Sequence, residues 1–212
     1  MENIGRAFSY MFEDKEWVQK ILIGAAFVLL SFVIIGIPFV IGYMLAVAKQ
    51  SAEGKELPLP KWDNLGEKFI SGLVYFLIMI IYGIPLAILY FILVFIPCLG
   101  WLAIVVIAIG FALITPYIGV RFARTGRMGD AFAFGEIFSF LQKNFVNLLV
   151  AWLMTIVFSV VAWFGILALI VGFLFTSFWA HLATWYLYGQ VVYEAEKKQP
   201  GAALPSGGTG SV

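Results

Sequence analysis

His181 is the single histidine of the chain, with Ser177 four residues before it, Thr184 three after and Tyr188 seven after. On a helix these side chains share one face and make a polar stripe in an otherwise apolar stretch. An ionisable group at such a position points by default to a proton or solute path. The alternative is a neutral imidazole bonded to a neighbouring helix, which holds helices together and does no chemistry. Arg121, Arg124 and Arg127 follow another apolar stretch at i, i+3 and i+6, a candidate grip on lipid phosphate headgroups. A basic cluster at a cytoplasmic helix end is also what insertion alone requires. Glu13, Asp14 and Glu16 lack the alternating oxygen spacing of a calcium loop and read as a wet helical face.

Chemistry of the usual enzymatic kinds has little to work with. The glycine-rich phosphate loop, the His-Glu-x-x-His helix and the Gly-x-Ser-x-Gly elbow are missing. Hydroxyls such as Thr115, Thr155, Ser159 and Thr176 are scattered through apolar sequence without a base. The expectation is therefore a protein that is not an enzyme, with no catalytic, cofactor-binding or metal-binding residues and no cofactor. Cys98, the lone cysteine, excludes a disulfide within one chain.

The elements that carry these residues must be helices in lipid. Of 212 residues, 63% are hydrophobic and only 12% charged, far from the roughly 25% charged of soluble domains. A formal charge of +1 gives nucleic acid no footing. Between Met1 and Lys20 lie seven charged residues and no small-residue cleavage site follows, so no removed signal peptide is expected.

Asp, Glu, Lys and Arg leave three free blocks, Ile21–Ala48, Phe69–Val120 and Asn144–Tyr193, of 28, 52 and 50 residues. A crossing takes about 20 residues, so the second and third blocks each suit two crossings. Turns are expected at Ile96–Trp101 and at Trp163–Gly165, where Pro, Gly and Trp gather. Paired crossings return every later Lys and Arg to one face, cytoplasmic by the positive-inside rule. In the first block, the Gly36-Ile37-Pro38 sequence suggests a tight turn with two arms of about 13 residues, roughly 20 Å each. That is short of a ~30 Å hydrocarbon core, hence a re-entrant or shallow hairpin. A single kinked crossing is the other reading.

The blocks also repeat. Gly5-Arg6-Ala7-Phe8-Ser9-Tyr10 and Gly129-Asp130-Ala131-Phe132-Ala133-Phe134 share three of six positions, and Trp62–Lys68 is a shorter counterpart. Phe134, Phe138, Leu141 and Phe145 fall on one helical face, marking an interfacial helix whose stripe packs on the protein's own helices or senses lipid. The fold class expected is an all-α membrane protein. It has three helical hairpins, the first short or re-entrant, each preceded by an amphipathic interfacial helix, in a pseudo-threefold internal repeat. The repeat units are about 4–50, 60–125 and 128–196 of one membrane domain, 1–198, and residues 199–212 are expected to be a disordered tail.

Taken together, Gly5–Tyr10, Phe12-Glu13-Asp14 and Trp17, then Gly42-Tyr43 to Leu57-Pro58 and Lys61-Trp62-Asp63, resemble a known pattern. So do Arg121–Phe134, Gly189-Gln190 and Tyr193-Glu194-Ala195. Over about residues 3–196 the chain resembles the prokaryotic membrane-protein family of domain of unknown function 4013. That resemblance implies a multi-helix inner-membrane protein of bacteria or archaea and brings no catalytic or binding residue with it.

The functional expectation is a non-enzymatic scaffold, complex subunit or membrane-organising module of the inner (cytoplasmic) membrane, with both termini cytoplasmic. Its partners would be membrane lipids, with a homo-oligomer or membrane-protein partner as candidates. The alternative is an oligomeric channel or transporter whose pore is lined by the Thr115 and His181 helices.

Overall fold

The computed structural model describes residues 5–55, 59–165 and 169–198. The expected tail, 199–212, lies outside them. The described chain is helical, with no strand among the described residues. Its helices are α1 (Arg6–Ser9), α2 (Trp17–Leu30), α3 (Gly36–Ala52), α4 (Leu65–Val94), α5 (Leu99–Thr125), α6 (Phe134–Phe164) and α7 (Leu169–Lys198). Among the described residues α4, α5 and α6 are long and apolar enough to cross a membrane.

Breaks between the helices sit where the backbone chemistry asks for them. α4 starts after Asn64, which takes the left-handed conformation, and α5 follows the Pro97-Cys98 break, with Cys98 at φ 59°. Gly126 ends α5 in the left-handed region, its N–H donating to the Phe122 carbonyl at 2.8 Å. In the first block the turn falls at 31–35, its centre four residues earlier than the sequence suggests. Gly36 and Pro38 open α3 instead, because proline fits a first helical turn, where its missing N–H has no partner to lose. A Cβ on Gly36 would stand 2.1 Å from the Phe27 carbonyl oxygen, which is how closely the chain folds back there.

Contacts fix the directions. Phe27 stacks on Phe39 (4.7 Å) and Phe39 packs on Phe69 (5.0 Å), so α3 runs against both α2 and α4. The Tyr75 hydroxyl donates to the Thr115 carbonyl (2.9 Å) from α4 to α5, and the Thr176 hydroxyl to the Ala162 carbonyl (2.8 Å) from α7 to α6. α3 and α7 lie parallel, with Tyr43 beside Phe178 and the Ser51 hydroxyl donating to the Tyr186 carbonyl. These two form the centre, and α4 and α6 make the other extensive contacts, with α3 and α7 respectively. Small residues let the backbones approach: a Cβ on Gly42 would meet the Lys68 carbonyl oxygen at 1.9 Å, and one on Gly72 the Pro38 carbonyl oxygen at 1.8 Å.

Because neighbours alternate in direction, the Asp, Glu, Lys and Arg residues of the described chain gather at one end. The opposite end is apolar and uncovered: Phe32 is 83% exposed, and Val33, Ile34, Leu99, Trp101, Trp163 and Phe164 are exposed beside their turns. From Ile81 to Ala112 the α4 and α5 helices bury only Gly100.

Two details of the expected units are corrected. The middle block has no separate helix before it: Trp62–Asn64 is irregular and α4 runs unbroken from Leu65. The strap that joins α3 to α4, of which 59–64 are described next to α4, has no helical residue there. Among the described residues before the first block stand two short helical turns, α1 and the 3-10 turn Tyr10–Glu13, and the start of α2. The third stretch is a 3-10 turn, Met128–Phe132, and then the start of α6, which leaves helical geometry at Asn144 (φ −120°). Its Phe134, Phe138 and Phe145 are exposed, while Ile137, Phe140 and Leu141 face the protein. The stripe is therefore split: Leu141 packs on the core and Phe134 meets Tyr82 of α4 edge to face at 5.9 Å, while Phe138 and Phe145 stay exposed.

Candidate functional site

A first cluster ties the N-terminal segment to the strap between α3 and α4. Lys20 is buried, and its ammonium donates to Asp14 Oδ2 (2.6 Å) and to the Leu59 carbonyl (3.2 Å). Asp14 Oδ1 accepts from the Glu16 N–H (2.8 Å) ahead of α2. The Trp62 indole N–H donates to the Lys20 carbonyl (2.8 Å), and the Tyr43 hydroxyl to the Pro60 carbonyl (2.9 Å). Tyr43 and Trp62 stack at 4.2 Å, and Trp62 stacks on Phe27 at 4.9 Å. Tyr10 stacks on Tyr186 at 4.2 Å, and burial first, then the neighbouring Tyr43 and Tyr186, pushes its phenol well above the ordinary range. The family-like residues Asp14, Tyr43 and Trp62 therefore meet in space as structure, their polar atoms answered by Lys20, by the Glu16 N–H and by the Pro60 carbonyl.

A second site lies at the same end, between α5, α6 and α7. It is a cavity of about 280 Å³ walled by Tyr117 and Arg121 of α5, by Glu136, Ser139, Lys143 and Asn144 of α6, and by Ala195 and Glu196 of α7. Arg121 is 3% exposed. Its Nε donates to the Asp130 carbonyl (2.8 Å) and its guanidinium pairs with Glu136, which is mostly exposed. Tyr117 stacks on Phe140 at 3.9 Å and closes one wall. The break at Asn144, whose amide donates to the Phe140 carbonyl, adds another.

The three arginines are not a free basic cluster. Arg121 pairs with Glu136, Arg124 with Glu196, and Arg127 with Asp130 at 3.0 Å. Only Arg121 lines the cavity. The sequence hides the pairing of Arg124 with Glu196, 72 residues away, whereas Arg127 and Asp130 stand three apart. Ser139 and Lys143, by contrast, lacked any reading of their own. Their signal was the spacing Glu136, Ser139, Lys143 on one helical face just before Asn144.

The stripe on α7 is brought onto one face but not into one network. His181 is exposed and its Nδ1 bonds the Ser177 carbonyl of its own helix at 2.7 Å, with no partner on a neighbouring helix among the described residues. Ser177 and Thr184 are half-buried, and the Thr184 hydroxyl donates to the Ala180 carbonyl (2.9 Å). Tyr188 is buried, with no partner for its hydroxyl among the described residues. Thr115 donates to the Phe111 carbonyl, and its own carbonyl is taken by Tyr75, so it faces the α4 side and does not join His181.

The family described as Protein of unknown function (DUF4013) matches residues 25–175, and the chain belongs to it. The match takes in Gly42-Tyr43, Lys61-Trp62-Asp63 and Arg121–Phe134 and leaves out the opening Gly5–Trp17 and the Gly189–Ala195 stretch. Neither a curated protein nor a solved structure matches the chain.

The Lys20 pair gives a stability test. Asp14→Ala leaves the buried ammonium, for a carboxylate, only the longer, exposed contact to Glu16 at 3.8 Å and is expected to destabilise the fold by up to about 3 kcal/mol. Adding Lys20→Met should restore most of that loss, since an apolar side chain of similar volume needs no partner. Unfolding in mixed micelles measures both; equal stability of wild type and Asp14→Ala would refute the pairing.

Proposed function

We propose that this member of a family of unknown function is a non-enzymatic integral membrane protein. In this reading three helix pairs, α2–α3, α4–α5 and α6–α7, dip into the inner membrane from the cytoplasmic face and return to it. It serves as a scaffold, complex subunit or membrane-organising module. The observation that carries the reading is the sorting of charge to one end of the helices, with exposed apolar residues at the other end among the described residues: Phe32–Ile35, Leu99 and Trp101, and Trp163 and Phe164. A chain crossing an odd number of times between charged segments would set charges at both ends.

The pairs differ in reach. α4 and α5, of 30 and 27 residues, extend roughly 45 and 40 Å, and α2 and α3, of 14 and 17, roughly 21 and 26 Å. The first pair therefore stops inside a ~30 Å core and fills one leaflet more than the other, a physical route to curvature or lipid order. The threefold repeat finds support in its outer units: Ala7 and Ala131 are both fully buried, and Phe8 and Phe132 both pack on the core.

Cys98 at the α4–α5 turn and Lys55 after α3 are both exposed and suit a sidedness test. A membrane-impermeant maleimide applied to right-side-out vesicles is expected to label Cys98. In Lys55→Cys with Cys98→Ser, labelling is expected only in inverted vesicles. Labelling of both from one side would overturn the paired-insertion reading.

The exposed imidazole of His181 favours a second reading, an oligomeric channel or transporter whose pore takes the α7 stripe, because a polar side chain open to hydrocarbon is costly. Ion or solute flux in liposomes, lost in His181→Ala, would mark that class, and flux equal to protein-free liposomes would remove it.

A further inference from the structure

We propose that the cavity between α5, α6 and α7 binds the phosphodiester headgroup of a phospholipid carrying one net negative charge. The inference rests on the reading above, in which the charged end meets the membrane surface. Arg121 provides a fixed floor: nearly all of it is buried, and the Asp130 carbonyl and Glu136 hold its guanidinium. Two further donors line the wall without protein partners among the described residues, the Ser139 hydroxyl and the Lys143 ammonium, one turn apart on α6. A phosphate offers unesterified oxygens that accept from both.

Charge selects the ligand class. Glu136 is answered by Arg121 and Glu196 by Arg124, which leaves the Lys143 cation as the surplus at the cavity. A monoanion balances it, and a zwitterionic headgroup brings its own cation against it. The volume of about 280 Å³ is at the small end for ligand sites and admits a headgroup but not acyl chains. The chains have apolar surface to follow on the same side of the helix, where Val146 is exposed just past Lys143. Basic pockets between helices at a cytoplasmic membrane face take anionic headgroups in this way.

The test uses the full chain in neutral detergent micelles, titrated with dioctanoyl phosphatidylglycerol, dioctanoyl phosphatidylcholine and glycerol 3-phosphate. The expected result is saturable phosphatidylglycerol binding that weakens with salt and falls about tenfold in Lys143→Glu while surviving in Lys143→Arg. Phosphatidylcholine and glycerol 3-phosphate should each bind at least about tenfold more weakly than phosphatidylglycerol. Lys143 is exposed, and an unchanged melting temperature verifies that its variants fold. Equal affinity of wild type and Lys143→Glu overturns the proposal. So does phosphatidylcholine binding as tightly as phosphatidylglycerol, and so does equal binding of glycerol 3-phosphate, which would make this a site for soluble phosphates. Micelles have no sidedness, so this assay fails or succeeds independently of the labelling experiment.

Discussion

Charge confined to one end of a helix bundle is the constraint on which the rest of this molecule depends. Asp, Glu, Lys and Arg collect where α3, α5 and α7 finish and where α2, α4 and α6 begin. Crowding them there buries some, and a buried charge is tolerated only when it is paired and hydrogen-bonded. Lys20, Lys68, Arg121 and Arg124 are all buried and all matched, three of them also or solely to residues brought close by neighbouring chain segments. The same pairs tie the strap to α2, α5 to α6 and α5 to α7, so charge sorting and helix assembly are one event.

The uncharged remainder is arranged for lipid. α4 and α5 expose apolar side chains on nearly every face beyond Ile81, which water would penalise and hydrocarbon does not. Hydroxyls in these stretches bond to carbonyls on their own or an adjacent helix, as Thr115, Thr155 and Thr176 do. His181 departs from that pattern: one ring nitrogen is held by the Ser177 carbonyl and the other is left to the surroundings. Asn144 departs in a second way, by leaving helical geometry beside a polar cavity, and irregular backbone near lipid depth is tolerated where it lines such a space.

Much of this was legible in the residue order. The charge-free blocks located the apolar helices, and the break between α4 and α5 overlaps the Pro97 stretch because proline and glycine act locally, whatever packs around them. The third block was read to begin at Asn144, where α6 bends. The family, too, was readable from motifs spread along the chain. What remained hidden depends on rotation and on distance. Periodicity found the Phe134, Phe138, Leu141 and Phe145 stripe yet could not tell that Leu141 turns inward with the adjacent Ile137 and Phe140 while Phe138 and Phe145 do not. The arginines looked like a cluster offered to headgroups because Glu136 and Glu196 reach them only through the fold. The spacing of Glu136, Ser139 and Lys143 marks one face of α6, but the cavity over that face follows from how α5, α6 and α7 meet.

The sharpest test of the account is the depth of the 31–35 turn, where a short helix pair should end inside the hydrocarbon. With Cys98→Ser as background, a nitroxide at Ile34→Cys in liposomes reports its collisions with oxygen and with a water-soluble nickel chelate. High oxygen and low nickel accessibility is the predicted result. Nickel accessibility matching that of a label at Lys55→Cys would place the turn in water and contradict the account.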